Sequence, residues 1–243
     1  MDKRLQSIAE NFESMKIGLD DTFRFHCTMC GKCCIHREDI ILNPYDLFRV
    51  SKELGMEPKD FVARYCDTYL GGTSRMVIVR LRPAGEDRHC PLLEGKKCTV
   101  HHSKPAVCAL YPLGRGLSQE VGKASEISHR SIQYILQKPD CGDESEMHTV
   151  REWISGFDFL LEEDYVPEWM QMVMDYGGAV KKLETVHDEF FINLLCMSIL
   201  GTVYLNYQLN EPFMPQFRKN DKEYREVLAG LLAVETPGDR IGR

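Results

Sequence analysis

Cys27-Thr-Met-Cys30-Gly-Lys-Cys33-Cys34 places four thiols within eight residues. Thiolates are soft, strongly donating ligands for zinc and iron, and two of them separated by two residues reach one metal from a single tight turn. Gly31 suits such a turn: glycine takes positive φ without a Cβ clash and lets backbone amides point at sulfur. Neighbouring side chains usually diverge, so Cys33 and Cys34 are expected to face different centres. A second constellation runs from Cys90-Pro-Leu-Leu-Glu-Gly-Lys-Lys-Cys98 through Thr-Val-His101-His102-Ser-Lys-Pro105-Ala-Val-Cys108. It adds three thiols, and Cys141, ahead of Gly142, adds the eighth. Eight thiolates divide into two four-cysteine sites, each joining early to late cysteines. Metal would then close loops of more than about fifty residues, which couples binding to folding.

Spacing bears on the metal. Cys27, Cys30 and Cys33 with a remote Cys90-Pro91 resemble the ligation run of bacterial ferredoxins, in which three close thiols and a distant one serve a 4Fe-4S cluster. Zinc ribbons present two separated CxxC knuckles, and this chain has one, followed by wider spacings. One or two iron–sulfur clusters are the leading expectation. Zinc stays open as a staple for a protein-interaction module, and crowded, exchangeable thiols would also suit a metal carrier or sensor. His26, His36, His89, His101 and His102 flank the cysteines and read as hydrogen-bond partners of sulfur rather than ligands. Arg115 follows Tyr111-Pro112 and is the candidate to offset thiolate charge or to bind a cofactor or substrate carboxylate. Cys66 and Cys196 fall among Phe, Tyr, Leu and Met on expected helices and read as small buried apolar residues. Met170, Met172 and Met174 read as helix core and its neighbours.

Cys27-x2-Cys30-Gly31-x-Cys33-Cys34, Cys90-Pro, Cys98-x2-His101-x3-Pro105-x2-Cys108-x2-Tyr111-Pro112 and Cys141-Gly142 before a Thr-Val-x-Glu helix together resemble the YkgJ-type cysteine-cluster family. These are described as zinc- or iron-chelating CxxCxxCC domains, and the resemblance covers about residues 24 to 156. Many relatives carry tyrosine where His101 stands. The resemblance implies metal binding and, through the distantly related flagellin lysine N-methylases, an iron–sulfur centre and a methyl-transfer role with S-adenosylmethionine. No glycine-rich strand-to-helix turn marks a nucleotide-type site in this sequence.

Composition bounds the partners. Thirty basic against 37 acidic residues give a formal net charge of −7, and no basic stripe with interleaved aromatics is present, so nucleic acid is not the expected partner. The longest apolar run, Phe190 to Leu205, contains Asn193 and falls short of the roughly 20 residues of a bilayer span. With 43% hydrophobic residues in 243, a core forms without covalent staples. The charged, periodic N-terminus does not read as a secretion signal. A reducing cytoplasm is therefore the expected location, where grouped thiols hold metal or do redox chemistry. The partner is expected to be a protein or small molecule of unspecified kind.

The elements that must position these residues follow from periodicity. Leu5, Ile8, Phe12 and Met15 predict an amphipathic helix ending near Gly18, with the cysteine run in the following loop. Asn43-Pro44 caps a helix that stops at Gly55. A second helix is predicted from Glu57 to Leu70, carrying Cys66 and closed by Gly71-Gly72. Met76–Leu81 reads as a strand, with Ser131–Leu136 returning to pair with it. Loops dominate from Pro83 to Gly116, apart from a helix over Lys104 to Leu110. From Thr149-Val-Arg-Glu152, a capping box, helices are predicted over Pro167–Leu183, Val186–Leu205 and Phe217–Val234, with Leu161 to Tyr165 as a solvated junction. The fold class is α+β: a cysteine-rich portion, residues 1–147, with a short β-sheet and loops, and a helical portion, residues 148–243, either as a second domain or packed as one unit with the first.

Overall fold

The chain opens with α1 (Lys3–Met15), β1 (Lys16–Ile17) and β2 (Thr22–His26), and the cysteine run follows as a single 3-10 turn, Lys32–Cys34. Gly31 enters that turn at φ 77°, the left-handed conformation that glycine adopts without strain. After β3 (Ile41–Leu42) comes α2 (Pro44–Leu54). Asn43 caps α2 by accepting the Asp46 N–H at 2.9 Å while Asp46 accepts the Asn43 N–H at 3.1 Å, and Gly55 at φ 60° ends the helix. Next are α3 (Pro58–Tyr65), β4 (Cys66–Leu70), β5 (Val77–Leu81), β6 (Leu93–Glu94), β7 (Lys97–Cys98), α4 (Ala106–Leu110), β8 (Leu113–Leu117), β9 (Ile132–Leu136) and β10 (Asp143–Thr149). The remainder is helical: α5 (Val150–Ser155), α6 (Tyr165–Leu183), α7 (Glu189–Ile199) running on as a π-helix over Leu200–Leu205, and α8 (Phe213–Val234). This computed structural model describes residues 3–37, 39–117, 127–128, 131–157 and 165–234, so most of the expected Leu161–Tyr165 junction lies outside the described residues. Helices and short antiparallel sheets make the α+β class expected from the sequence.

Two expectations are corrected. The helix predicted to run to Leu70 stops at Tyr65, and Cys66 begins β4 instead, paired antiparallel with β5 from Cys66↔Leu81 to Leu70↔Val77. Val77, Val79 and Leu81 of β5 are buried, and a buried strand must find hydrogen-bond partners on its flanks. That demand overrides a weak helical period in Cys-Asp-Thr-Tyr-Leu. The strand at Ile132–Leu136 pairs with β1 and β8, not with β5. β2 and β10 pair with each other through an irregularity between Asp143 and Met147; neither was expected as a strand, β2 being only five residues long and β10 opening on four consecutive polar residues, Asp143 to Glu146.

The described chain groups into two compact units, Met1–Ile40 with Pro83–Glu168, and Ile41–Arg82 with Trp169–Arg243. This grouping differs from a single cut near residue 148. In the first unit, Phe23 and Phe25 of β2 pack with Ala106, Ala109 and Leu110 of α4, Leu113, Tyr134, and Val150 and Ile154 of α5. Trp153 stands edge-on to both phenylalanines and donates its indole N–H to the Leu110 carbonyl at 3.2 Å. Each large side chain buried there contributes about 1.5–3 kcal/mol. α4, which carries Cys108, and β2, which leads into Cys27, are thereby fixed against one core.

The second unit owes its make-up to aromatic side chains. Tyr45 and Phe48 of α2 pack on Phe213 of α8, with Tyr207 against Phe48 and Phe213. Tyr204 donates to the Val77 carbonyl of β5 at 2.7 Å. Segment 41–82 thus shares a core with the C-terminal helices. Among the described residues, no helix is long and apolar enough to cross a membrane.

Candidate metal centre

Each clustered cysteine sits where a local constraint holds its backbone. Cys27 follows directly on β2 and packs against the aromatic core. Cys33 and Cys34 lie in the 3-10 turn with their sulfurs 3.9 Å apart. Their expected divergence is therefore not what the fold shows: the two sulfurs run side by side, at about the 3.8 Å spacing of consecutive Cα atoms. The Cys-Pro loop is tied to this turn by the Cys90 N–H, which donates to the Cys34 carbonyl at 2.8 Å. Cys98 lies on the β6–β7 hairpin opposite Leu93, and Cys108 projects from α4, its N–H bonded to the Pro105 carbonyl at 2.8 Å. Cys141 precedes Gly142, whose φ is 76°. A Cβ at Gly142 would stand 2.5 Å from the His26 carbonyl oxygen and 2.6 Å from the Phe25 ring, so only glycine lets the chain pass there.

Electrostatics divides the thiols into two neighbourhoods. The Cys30 sulfur accepts the Lys32 N–H, which lowers its pKa against the penalty of burial, and the Gly142 N–H, the Thr28 hydroxyl and Cys141 lower it further. Burial pushes Cys141 up to about 11, with the charges of Cys33 and Cys30 adding to the rise. On the other side, burial pushes Cys90 up to about 11, assisted by Cys98 and Cys33. Burial likewise raises Cys108 strongly, and Cys90, Cys98 and Cys33 add to it. Cys34 is raised first by its hydrogen bond to Cys33, then by burial and by the charges of Cys33, Cys108 and Cys90. Cys33 is lowered by the same hydrogen bond and by the positive charges of Arg37 and Lys104. Cys33 is the member felt on both sides.

All ten cysteines are free thiols. Among the described residues, no three or more His, Cys, Asp or Glu side chains are gathered closely enough to hold a metal ion as they stand. The donor set nonetheless fits zinc or iron in its chemistry. Partly buried thiols that raise one another's pKa are stabilised as thiolates by a bound cation, which removes their repulsion.

Arg37, which sequence reasoning passed over, stands with Lys104 beside the thiols. Its Nη1 donates to the Cys33 carbonyl at 3.2 Å and its Nε to Asp39 Oδ1 at 2.6 Å, and its charge opposes the upward shifts of Cys90 and Cys108. Its place three residues after Cys34 was the available signal. Arg115 lies on β8 across from Tyr134, and its charge partly offsets the upward push of burial on that phenol. Among the histidines, His26 Nδ1 lies 3.4 Å from the Asp143 carboxylate and His89 Nδ1 2.6 Å from Asp87, while the His101 and His102 rings meet edge-on. Cys66 is buried at the start of β4, and Cys196 lies partly buried on α7. Met172 is buried and Met174 exposed on α6.

Comparison with known proteins agrees with this chemistry. No curated protein and no solved structure matches the chain. Residues 26–141 match the CxxCxxCC family, whose description is "Putative zinc- or iron-chelating domain", and that span takes in all eight clustered cysteines. From the 3-10 turn through the Cys-Pro loop, the hairpin and α4 to the approach to β10, residues 26–141 of this chain are similar to the CxxCxxCC zinc- or iron-chelating family.

Proposed function

We propose that the eight cysteines build two four-thiolate centres that hold iron–sulfur clusters in a protein exchanging electrons with a protein or small-molecule partner. One centre takes Cys27, Cys30, Cys33 and Cys141, and the other takes Cys34, Cys90, Cys98 and Cys108. The observation that carries this reading is the segregation of the thiols. The Cys90 N–H ties the Cys-Pro loop to the Cys34 carbonyl, Cys34 feels Cys108 and Cys90, and Cys98 acts on Cys90 and Cys108, whereas Cys141 meets Cys30; Cys33 acts on both groups and is placed with its run-mates Cys27 and Cys30. The cysteine run supports iron, because in two-cluster ferredoxins a fourth cysteine that follows three close ones serves the other cluster, as Cys34, after Cys27, Cys30 and Cys33, does in this assignment. When bound, such clusters supply one-electron chemistry. The chain's own part is to hold the sulfurs, keep them partly dry, and set Arg37 and Lys104 near Cys33 to offset negative charge.

Zinc is the second reading, and one distance favours it. A tetrahedral site with Zn–S bonds of about 2.3 Å has sulfurs about 3.8 Å apart, close to the 3.9 Å between Cys33 and Cys34. Methyl transfer belongs to neither reading: the strand pairings among the described residues are all antiparallel, without the parallel strand–helix–strand unit of a doubly wound nucleotide site.

Anaerobic purification, metal analysis and an absorption spectrum test the proposal. Iron with acid-labile sulfide and a brown colour is the expected result; a colourless protein with stoichiometric zinc overturns it in favour of the second reading. Cys30→Ser and Cys34→Ser should each remove about half the metal, as one of two four-thiolate sites is opened. Complete loss from either variant alone sinks the two-centre assignment.

A further inference from the structure

α7 is apolar on two sides, one buried and one exposed. Ile192, Leu195 and Ile199 form the buried side, where Tyr224 of α8 donates its hydroxyl to the Leu195 carbonyl at 3.3 Å. The other side carries Phe190, Leu194 and Met197, which are 72%, 50% and 69% exposed. Asn193 and Ser198 of α7, and Gly201 in the π-helix that continues it, are exposed as well. Each of these residues lies three or four positions from the next along the helix, so together they make one stripe. Exposed apolar residues scattered singly mean nothing, but a contiguous stripe marks an interaction face. Gly201 is an independent sign of a neighbour. Glycine in helical backbone costs stability relative to alanine, yet a Cβ at this position would meet nothing among the described residues within 4 Å. The single chain leaves room for a larger side chain, and the glycine suits something packed on from outside.

Charge and pattern identify that neighbour. No charged residue lies from Phe190 to Asn210, so a partner bringing Lys, Arg, Asp or Glu to the stripe would bury it unpaired. Two copies of a chain with a net charge of −7 can meet there without burying any charge. The stripe is also its own complement. Turned antiparallel about the midpoint between Leu195 and Cys196, it sets Phe190 against Gly201 of the partner subunit, Asn193 against the partner's Ser198 and Leu194 against the partner's Met197. A large ring meets a position with no side chain, two polar groups meet each other, and two apolar side chains of similar size meet near the centre. We propose that this stripe is a homodimer interface in which two copies pair α7 antiparallel across a two-fold axis, the self-complementary arrangement of an isologous contact. The polar pair fixes the register. One helix pair is small for a protein interface, so the dimer is weak and concentration-dependent.

Sedimentation equilibrium of the full chain as purified, under reducing conditions and across the micromolar range, tests the proposal. A reversible monomer–dimer equilibrium is expected. Leu194→Glu should weaken it about 10-fold or more, because each copy then brings a carboxylate to the centre of the face. Gly201→Leu should weaken it as much by filling the space for Phe190, and helix propensity favours that change in the monomer, so a lost dimer there is not a lost fold. Met147→Glu, at an exposed methionine on β10, should leave the equilibrium unchanged. Asn193→Lys and Ser198→Glu should each weaken the dimer, and the two together should restore it, since each lysine then faces a glutamate across the axis. A chain that stays monomeric at several hundred micromolar overturns the proposal, as does a dimer that survives Leu194→Glu or Gly201→Leu. An equal loss from Met147→Glu marks unspecific association and overturns it too. If the combined Asn193→Lys and Ser198→Glu variant is not restored, the antiparallel pairing is wrong.

Discussion

Cys66 shows at the residue scale how one side chain separates structural from chemical cysteines. Burial, partly countered by Arg82, pushes its thiol up to about 12, well above the ordinary value near 8.5. The folded state therefore holds the proton longer than the unfolded state does. This contribution is fully present below about pH 8.5 and is lost as pH rises through about 12, with a slope near 1.4 kcal/mol per pH unit for one proton. Urea unfolding at a series of pH values from 8 to 11 should show wild type losing stability faster than Cys66→Val by about that slope; parallel curves would contradict it. The bland reading of Cys66 was legible in its neighbours. Arg37 was not, because an arginine near a cysteine run acquires meaning only once its guanidinium is seen to donate to the Cys33 carbonyl.

At the scale of elements, the capped helices were the most legible parts. Thr149 accepts the Glu152 N–H at 3.1 Å and Glu152 accepts the Thr149 N–H at 2.8 Å, as the capping box in the sequence announces. Thr149→Ala should lower stability by about 1 kcal/mol, read as a shift in denaturant midpoint with unchanged slope. Gly177, inside α6, is a different case. A Cβ there would collide with the Ser74 carbonyl oxygen in the β4–β5 turn, so Gly177→Ala should cost about 1–3 kcal/mol by overpacking. Helix propensity alone predicts a gain of about 1 kcal/mol for that change. The sign of the measured effect decides between them. β2 and β10 escaped sequence reasoning because exposed charged residues, in the run Asp143 to Glu146, mask a strand whose partner is remote.

For the whole molecule, the division into two units carries its own expectation. The thiols of the first unit come from residues 27–34, 90–108 and 141, and a metal bound by them would close those loops. Hydrogen exchange on the full chain after chelation should therefore rise in these segments, while residues 41–82 and 169–234, whose core is built from Tyr45, Phe48, Tyr204, Tyr207 and Phe213, keep their protection. A uniform rise across both would show that the metal supports the second unit as well. The discontinuous make-up of that unit could not be read from composition, since it depends on which aromatic faces meet.

Residue types and spacing alone determined the eight thiols, the zinc- or iron-chelating chemistry, the turn glycine at Gly31 and the capped helices. These are local properties, set by side-chain chemistry and by backbone preferences over a few residues. Only the tertiary structure decided that Cys66 begins a strand, that Cys33 and Cys34 lie side by side, and that Arg37 donates to the Cys33 carbonyl. Each depends on how the folded chain packs around it, and the free energy of those contacts, gained on burial and strand pairing, outweighs the weak local preferences that sequence reasoning can weigh.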